Sequence, residues 1–194
     1  MKRWLCRAAR LEEADAIEAL QVRSAKDLGR GFYTDQEIAA YIHQYGTLDR
    51  SLIVDGTFFV VEERGAVVGC GGWSAREPHY AAAMESSPAT DALPRIQGFF
   101  VEPDRARQGI GRAVMSHIEG EIQRAGHSSA VLIAMLSGVA FYRALSYRKT
   151  RNNLVTLSNG MVLPSIEMIK HFADVGPPHR RRPTSDHLKG NVHA

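Results

Sequence analysis

The sequence is poor in cysteine. Cys6 and Cys70 are the only two among 194 residues, which is too few for a disulfide framework. Neither belongs to a Cys-x-x-Cys pair, and the histidines lack the paired spacing of a metal site, so we expect no metal cofactor. Cys70 falls in a run that predicts a strand, where we expect it to be a small buried side chain.

Long apolar runs are also absent from the sequence. No segment approaches the roughly 18 apolar residues that a membrane-spanning helix needs, and the amino terminus has no hydrophobic signal core. We therefore expect a cytoplasmic protein without a membrane partner. A chain of 194 residues with 44% hydrophobic and 23% charged residues is typical of one globular domain with a full core.

The chain has little net charge outside its carboxyl-terminal tail. Residues 173–194 hold most of the net charge of +3, so the rest of the chain is nearly neutral. The charged residues of the tail are Arg180, Arg181, Arg182 and Lys189 against Asp174 and Asp186. The tail lacks apolar periodicity, and we expect it to be flexible. A nucleic-acid partner is therefore not expected, although weak binding of RNA or a membrane by the tail is an alternative.

The most informative segment is residues 101–111, which read VEPDRARQGIG. A β-branched and aromatic run over residues 96–101 predicts a strand that stops at Pro103. A basic turn then leads through Gly109 and Gly111 into an amphipathic helix. Unpaired backbone N–H groups and the positive end of a helix dipole therefore meet at one point. This order predicts a site for an anion such as a phosphate, and a tight turn without a ligand is the alternative.

Two familiar phosphate loops do not fit these residues. A P-loop requires Gly-Lys-Ser/Thr, but Arg112 and Ala113 follow Gly111. A dinucleotide-binding fingerprint requires a third glycine at a position occupied by Val114. The sequence therefore excludes nucleotide binding of those two types.

The segment resembles motif A of the GNAT superfamily of acyl-CoA N-acyltransferases, which reads Gln/Arg-x-x-Gly-x-Gly/Ala after a strand ending in Val-x-Pro. Val101-Glu102-Pro103 and Gln108-Gly109-Ile110-Gly111 match, whereas Ala106 stands where the motif has Gln or Arg. The resemblance implies that backbone N–H groups, which do not depend on the residue at 106, hold the pyrophosphate of acyl-CoA. The residues implied are Arg107, Gln108, Gly109, Ile110, Gly111 and Arg112, with the side chain of Arg105 as a further candidate.

A second match lies downstream of this helix. Residues 129–134 are a short apolar run that predicts a buried strand, and residues 138–147 follow it. The latter resemble the superfamily's Ala-x-x-Phe-Tyr-x-x-Leu-Gly-Phe/Tyr helix, which implies that Tyr142 protonates the departing CoA thiolate. The alternative is that Tyr142 is an ordinary helix tyrosine with its hydroxyl at the surface.

Two positions depart from the second motif. Family members often carry an asparagine near Met135 that contacts CoA, so that contact would come from Ser137 or from the backbone. Ser146 replaces a glycine that ends the helix in a left-handed conformation, which costs serine about 1 kcal/mol. We expect the fold to tolerate this change.

The patterns along the chain predict an α/β fold with one domain over residues 1–172. The predicted strands are residues 4–7, 57–63, 66–74, 95–101, 129–134, 148–157 and 163–172. The predicted helices begin at residues 10 and 34 and span residues 109–125 and 138–145. The resemblance implies a GNAT-like, mixed and mostly antiparallel twisted sheet of about six to seven strands flanked by about four helices.

Three local features complete this expectation. Thr34 and Glu37 predict a capping box at the start of the second helix. Leu11 is predicted to lie on the apolar face of the first helix, together with Ala14, Ile17, Leu20 and either Val22 or Ala25. Residues 75–93 predict a long loop, which covers the substrate as a lid or is a disordered insertion.

The resemblance also implies a mechanism. The pantetheine arm of acetyl-CoA would lie along Phe99, Phe100 and Val101, where the fourth strand of this family is splayed from the fifth, and one strand N–H would polarise the thioester carbonyl. A neutral primary amine would attack directly in a ternary complex, with Tyr142 as the general acid. The expected activity is an acetyl-CoA-dependent N-acetyltransferase. A non-catalytic acyl-CoA-binding module on the same scaffold is the alternative.

The general base and the acceptor stay open. Many relatives place a glutamate on the fourth strand, but this strand offers Gln97, which cannot serve as a base, and Glu102 at its end. The other candidates are Glu37, His43, His79 and Glu85. The aromatic residues Phe32, Tyr33, Tyr41 and Trp73 would line an acceptor pocket or belong to the core. We expect a small-molecule or peptide amine as acceptor, and the sequence leaves a homodimer open.

Overall fold

A computed structural model of the chain describes residues 4–76 and 90–173. The basic tail predicted over residues 173–194 lies outside the described residues from position 174 onward. Most of the predicted loop over residues 75–93, including the base candidates His79 and Glu85, also lies outside them.

The described residues form seven strands and five helices. The strands are β1 Leu5–Ala8, β2 Phe58–Glu63, β3 Ala66–Ser74, β4 Arg95–Val101, β5 Ser129–Met135, β6 Arg148–Thr156 and β7 Val162–His171. The helices are α1 Ala14–Gly29, α2 Asp35–Tyr45, α3 Ser51–Val54, α4 Ile110–Arg124 and α5 Val139–Arg143. The sequence analysis predicted every strand and every helix except the single turn of α3.

The seven strands make one sheet in the order β1-β2-β3-β4-β5-β7-β6. Only β4 and β5 run parallel, and every other neighbouring pair is antiparallel. Helix α4 connects the parallel pair, as such a connection requires a crossover. The predicted mixed, mostly antiparallel sheet is confirmed. The β6–β7 hairpin adds to the sheet through β7, so the last strand in sequence lies inside the sheet and β6 forms the edge.

Helices cover both faces of the sheet, as the strand β2 shows. Its side chains are buried on both of its faces. Phe59 and Val61 belong to the core under α4, where Ile118 is fully buried. Phe58 and Val60 belong to the core under α1, where Leu20 is buried. A strand that is apolar on both sides favours such a three-layer arrangement.

The prediction for Leu11 is wrong. Leu11 is 52% exposed and lies in a 3-10 turn over Leu11–Glu13 that precedes α1. The carboxylate of Glu13 accepts hydrogen bonds from the backbone N–H of Arg10 at 2.8 Å and from the guanidinium of Arg7 at 2.6 Å. These bonds turn the chain before the helix begins, so the inner face of α1 starts at Ala14.

The other local predictions for turns and caps hold. Thr34 and Glu37 form a capping box at the start of α2. Ser146 adopts the left-handed conformation, with φ of 70°. Cys70 is fully buried in the core under α1.

Candidate active site

The strands β4 and β5 separate along their length. Arg95 pairs with Val131 and Ile96 with Leu132, and no further residues of these two strands are paired. The edge of β4 from Gln97 to Val101 therefore has no strand beside it in the described residues. Its backbone groups are available to an extended ligand in the manner of an added strand.

A bulge in β4 lies at the same point. Gln97 pairs with Gly72 of β3 and Phe100 pairs with Cys70, so two residues of β4 lie opposite the single residue Gly71. The first of the two, Gly98, has φ of +64°, and a Cβ at this position would lie 2.8 Å from the ring of Phe58. Conformation and space both require glycine here.

The turn before α4 presents a row of backbone donors. The N–H groups of residues 107–112 have no hydrogen-bond acceptor among the described residues. Arg107 has φ of 65° and Gly109 has φ of 89°, and such left-handed residues curve successive N–H groups toward a common point. The last three of these groups belong to the first turn of α4, where the helix dipole is positive. The turn is thus built to receive an anion.

Arginine side chains around this turn fall into two groups. The guanidinium of Arg105 lies 3.1 Å from the carboxylate of Glu63. Arg107 and Arg112 are exposed and form no ion pair with the described residues. The side chain of Gln108 donates to the carbonyl of Asp104 at 3.2 Å. Within residues 4–76 and 90–173, Arg107 and Arg112 are therefore the predicted phosphate-binding side chains that have no partner.

Helix α5 brings Tyr142 to the bulged part of β4. The ring of Tyr142 lies 5.9 Å from that of Phe99, and Phe99 stacks on Phe141 at 5.3 Å between centroids. A Cβ on Gly111 would lie 3.2 Å from Phe141 and 3.3 Å from Phe99. The start of α4, the bulge of β4 and α5 therefore meet in one place, as two separate sequence motifs implied.

Tyr142 is largely buried through the contacts of its ring. It is 8% exposed, and its hydroxyl makes no hydrogen bond with the described residues. Burial raises the pKa of this phenol above its ordinary value. The hydroxyl therefore stays protonated at neutral pH.

The segment between β5 and α5 is held from the opposite side of the sheet. The hydroxyl of Tyr33 accepts from the N–H of Leu136 at 2.9 Å and donates to the carbonyl of Pro164 at 2.6 Å. Met135 packs into the same cluster as Tyr33. Ser137 lies half-buried in the 3-10 turn Leu136–Gly138, directly before α5.

The described base candidates are engaged or exposed. Glu102 forms a two-bond ion pair with Arg23, at 3.0 Å and 2.8 Å. Glu37 caps α2, and the backbone N–H of Thr34 lowers the pKa of its carboxyl group. His43 is exposed on α2.

The four aromatic residues considered for an acceptor pocket are dispersed. Phe32 is exposed, whereas Tyr33 and Tyr41 pack in the cluster between α2 and the β6–β7 hairpin. Burial raises the pKa of Tyr41 to about 12. Trp73 packs in the core under α4, on the other face of the sheet. The structure therefore does not bring the four rings together.

The buried polar residues that the sequence analysis missed include Gln21 and Glu167. Gln21 on α1 is fully buried. Glu167 on β7 is also buried, where it accepts hydrogen bonds from Thr150 at 2.7 Å and Thr90 at 3.1 Å and pairs with Arg151 at 3.4 Å. Periodicity marks apolar faces, so a polar residue on a buried face leaves no such signal.

Comparison with protein families agrees with this geometry. A family model described as an acetyltransferase (GNAT) domain matches residues 54–149. The chain belongs to the GNAT superfamily. The matched part of this GNAT chain includes the bulge of β4, the glycine turn and Tyr142. Comparison with curated proteins finds no match.

Solved structures share the GNAT fold of this chain. A GCN5-related N-acetyltransferase from Rhodopseudomonas palustris aligns over 89% of this chain and 98% of its own, with a TM-score of 0.69 and 18% identity. The PaiA N-acetyltransferase of Thermoplasma acidophilum, in complex with coenzyme A, aligns over 89% and 100%, with a TM-score of 0.63 and 13% identity. The yncA protein of Salmonella typhimurium, solved with its cofactor acetyl-CoA, aligns over 92% and 99%, with a TM-score of 0.58 and 20% identity. No helix of the described GNAT fold has the length and apolar character needed to cross a membrane.

Proposed function

We propose that this protein is an acetyl-CoA-dependent N-acetyltransferase that acetylates a primary amine, of a small molecule or a peptide, with Tyr142 as the general acid. The observation that carries the proposal is the meeting of the free edge of β4, the donor row before α4 and the buried phenol of Tyr142. Each feature alone has other uses. Together they match three parts of acetyl-CoA. The β4 edge suits the extended pantetheine arm, the donor row suits the pyrophosphate, and Tyr142 suits the leaving thiolate.

Acetyl-CoA would bind across these elements. The pyrophosphate is received by the N–H groups of residues 107–112, with the side chains of Arg107 and Arg112 adding charge. Arg105 is left out of this role because it is engaged with Glu63. The pantetheine arm pairs with Phe99, Phe100 and Val101. Ser137, in the 3-10 turn directly before α5, is the side chain proposed to contact the arm. The GNAT structures that contain coenzyme A or acetyl-CoA support this choice of ligand.

The reaction proceeds in a ternary complex. The lone pair of a neutral amine forms a C–N bond to the thioester carbon, and negative charge moves to the carbonyl oxygen, which accepts a hydrogen bond from a β4 N–H group. Collapse of this intermediate breaks the C–S bond, and Tyr142 donates its proton to the sulfur. The low-dielectric surroundings that raise the pKa of Tyr142 also raise the proton affinity of the thiolate, so the two effects offset each other. The proton of the amine leaves to solvent, and solvent returns a proton to the Tyr142 phenolate.

The assay is thiol release from acetyl-CoA in the presence of a panel of amines. The panel contains polyamines, amino acids, aminoglycosides and peptides with free amino termini. Binding of CoA is followed separately through tryptophan fluorescence, because the ring of Trp4 lies beside Gly109 in the turn before α4. We expect amine-dependent thiol release by the wild type and CoA binding by both the wild type and Tyr142→Phe.

The outcomes of this assay separate the hypotheses. Amine-dependent release that falls sharply in Tyr142→Phe supports the enzyme. Binding of CoA without turnover of any amine supports the non-catalytic module instead. Failure of the wild type to bind CoA contradicts both. Cytoplasmic residence, where acetyl-CoA is available, stays a prediction for localisation experiments.

A further inference from the structure

Gln21 is a polar residue on a face of α1 that is otherwise packed against the core. It is 0% exposed, and its neighbours on the inner face of the helix include Ile17 and Leu20. Burying an amide costs free energy unless hydrogen bonds compensate for the lost water. The Oε1 atom of Gln21 has no hydrogen-bond partner among the described residues, so only one end of the amide is compensated.

The compensated end of Gln21 is bonded to the bulge of β4. Its Nε2 donates to the carbonyl of Gly98 at 3.0 Å, across 77 residues of sequence. The thiol of Cys70 lies 3.6 Å from the same carbonyl and is a weaker donor. Gly98 is the left-handed residue of the bulge, and Gln97 directly before it is the first β4 residue without a partner on β5. A buried carbonyl at this point needs a donor from outside the sheet.

The bond to Gln21 sets the orientation of a whole peptide group. The peptide unit is planar and trans, so the carbonyl of Gly98 and the N–H of Phe99 point in opposite directions. Because Gln21 and Cys70 hold the carbonyl on the side of α1, the N–H of Phe99 is turned away from α1. The ring of Phe99 lies on that other side, against Phe141 and Tyr142.

We propose that Gln21 is a positioning residue of the acetyl-CoA site, which holds the Gly98 carbonyl so that the N–H of Phe99 meets the carbonyl of the acetyl group. This inference rests on the proposed function, because it assigns the same site. Gln21 touches neither the cofactor nor the acceptor. It acts through the backbone of β4, and its loss lets the peptide group between Gly98 and Phe99 rotate.

The first test compares the affinities for acetyl-CoA and for CoA. The two ligands differ by the acetyl group, so the ratio of their dissociation constants reports on the contact with the acetyl carbonyl. Gln21→Met keeps the size of the side chain and removes the donor. We expect it to weaken acetyl-CoA binding about three- to tenfold more than CoA binding, the range of one hydrogen bond.

Leu20→Ala is the matched control for disturbance of α1. Leu20 is buried on the same helix beside Gln21 and belongs to the same core. Its truncation lowers thermal stability but leaves the Gly98 contact in place, so the ratio of the two affinities is expected to stay at the wild-type value. The inference is overturned if Gln21→Met keeps the wild-type ratio of the two dissociation constants. It is also overturned if Leu20→Ala changes this ratio as much as Gln21→Met does.

The second test restores the donor by protonation. In Gln21→Glu the buried carboxyl has a raised pKa, and its protonated form donates an O–H to the Gly98 carbonyl, whereas the carboxylate repels it. The affinity ratio of this variant therefore moves toward the wild-type value as the pH falls. The Cys70 thiol beside it stays neutral, because burial raises its pKa to about 12. Arg23 and Glu102, which link α1 to the end of β4, form a charged pair that is present in both proteins.

These measurements distinguish the two proposals. Wild-type protein that binds neither CoA nor acetyl-CoA contradicts the proposed function. Wild-type protein that binds both, together with a Gln21→Glu ratio that does not change with pH, leaves the proposed function standing and refutes the role of Gln21. Recovery of the ratio at low pH, which a purely structural role of Gln21 would not produce, supports the inference.

Discussion

The rings of Phe99 and Tyr142 lie 5.9 Å apart at an interplanar angle of 60°. Phe99 belongs to the bulge at which β4 leaves β5, and Tyr142 belongs to the short helix α5 that follows β5. The contact joins the strand edge proposed to bind the acyl arm to the phenol proposed to protonate the sulfur. The predictions below test this junction and the elements that hold it.

Tyr142→Phe is expected to lower the rate of acetyl transfer about a hundredfold, because the thiolate then leaves without a proton donor. Binding of CoA should change little, since the ring and its contacts remain. Steady-state thiol release and a CoA titration measure the two quantities. Tyr147→Phe is the matched control, because Tyr147 is also a buried tyrosine 5.9 Å from Tyr142. Equal losses in both variants would contradict a specific role of Tyr142.

Gly98→Ala is expected to destabilise the protein by about 2 kcal/mol or more. An alanine pays for the left-handed conformation, and its Cβ would lie 2.8 Å from Phe58. Gly120→Ala is the control, because the nearest atoms to its Cβ belong to the flexible side chain of Arg124 at 3.7 Å. Alanine within α4 should stabilise by about 0.5–1 kcal/mol. Urea denaturation gives the change in the free energy of unfolding for each variant. Changes of the same sign in the two variants would argue against the bulge geometry.

Arg112→Gln is expected to weaken CoA binding about tenfold and to reduce its dependence on salt, because the exposed guanidinium no longer meets a phosphate. Arg105→Gln should leave CoA affinity unchanged, since Arg105 is bound to Glu63 at 3.1 Å. Titrations of CoA at low and high ionic strength compare the two variants. A larger loss for Arg105→Gln would show that the phosphates bind elsewhere.

Acid is expected to destabilise the protein through Glu13. The guanidinium of Arg7 lowers the pKa of Glu13 to about 2 from its ordinary value of 4.5. A depressed pKa contributes stability that is fully present above the unfolded value and is lost as the pH falls toward the folded value. Thermal melts between pH 5 and pH 2 should therefore show a smaller loss of stability for Glu13→Gln than for the wild type.

Glu12→Gln is the control for this pH dependence. Glu12 lies in the same 3-10 turn with a side chain that is 75% exposed, so its variant should follow the wild-type curve. If Glu13→Gln and the wild type lose stability in parallel over that range, the ion pair with Arg7 does not contribute.

Turn and cap positions were predictable because their signals are local. The capping box of Thr34 and Glu37 depends on side chains three residues apart, and the left-handed Ser146 follows from where its helix must end. Leu11 was assigned to the wrong face because the ion pair of Glu13 with Arg7 of β1 ends the preceding turn. Buried polar residues such as Gln21 and Glu167 were also out of reach, since their partners lie far away in sequence.

The sequence by itself determined the order of strands and helices along the chain and the turn at Gly109 and Gly111, because each depends on patterns within a short stretch of chain. The association of that turn with Tyr142 came from the resemblance to the GNAT superfamily. The tertiary structure alone decided that β7 lies between β5 and β6, that β4 separates from β5 after Ile96, and that Arg105 turns to Glu63. Strand pairing and ion pairing are competitions among distant groups. Their outcome depends on which surfaces the whole chain brings together, so no local pattern records it.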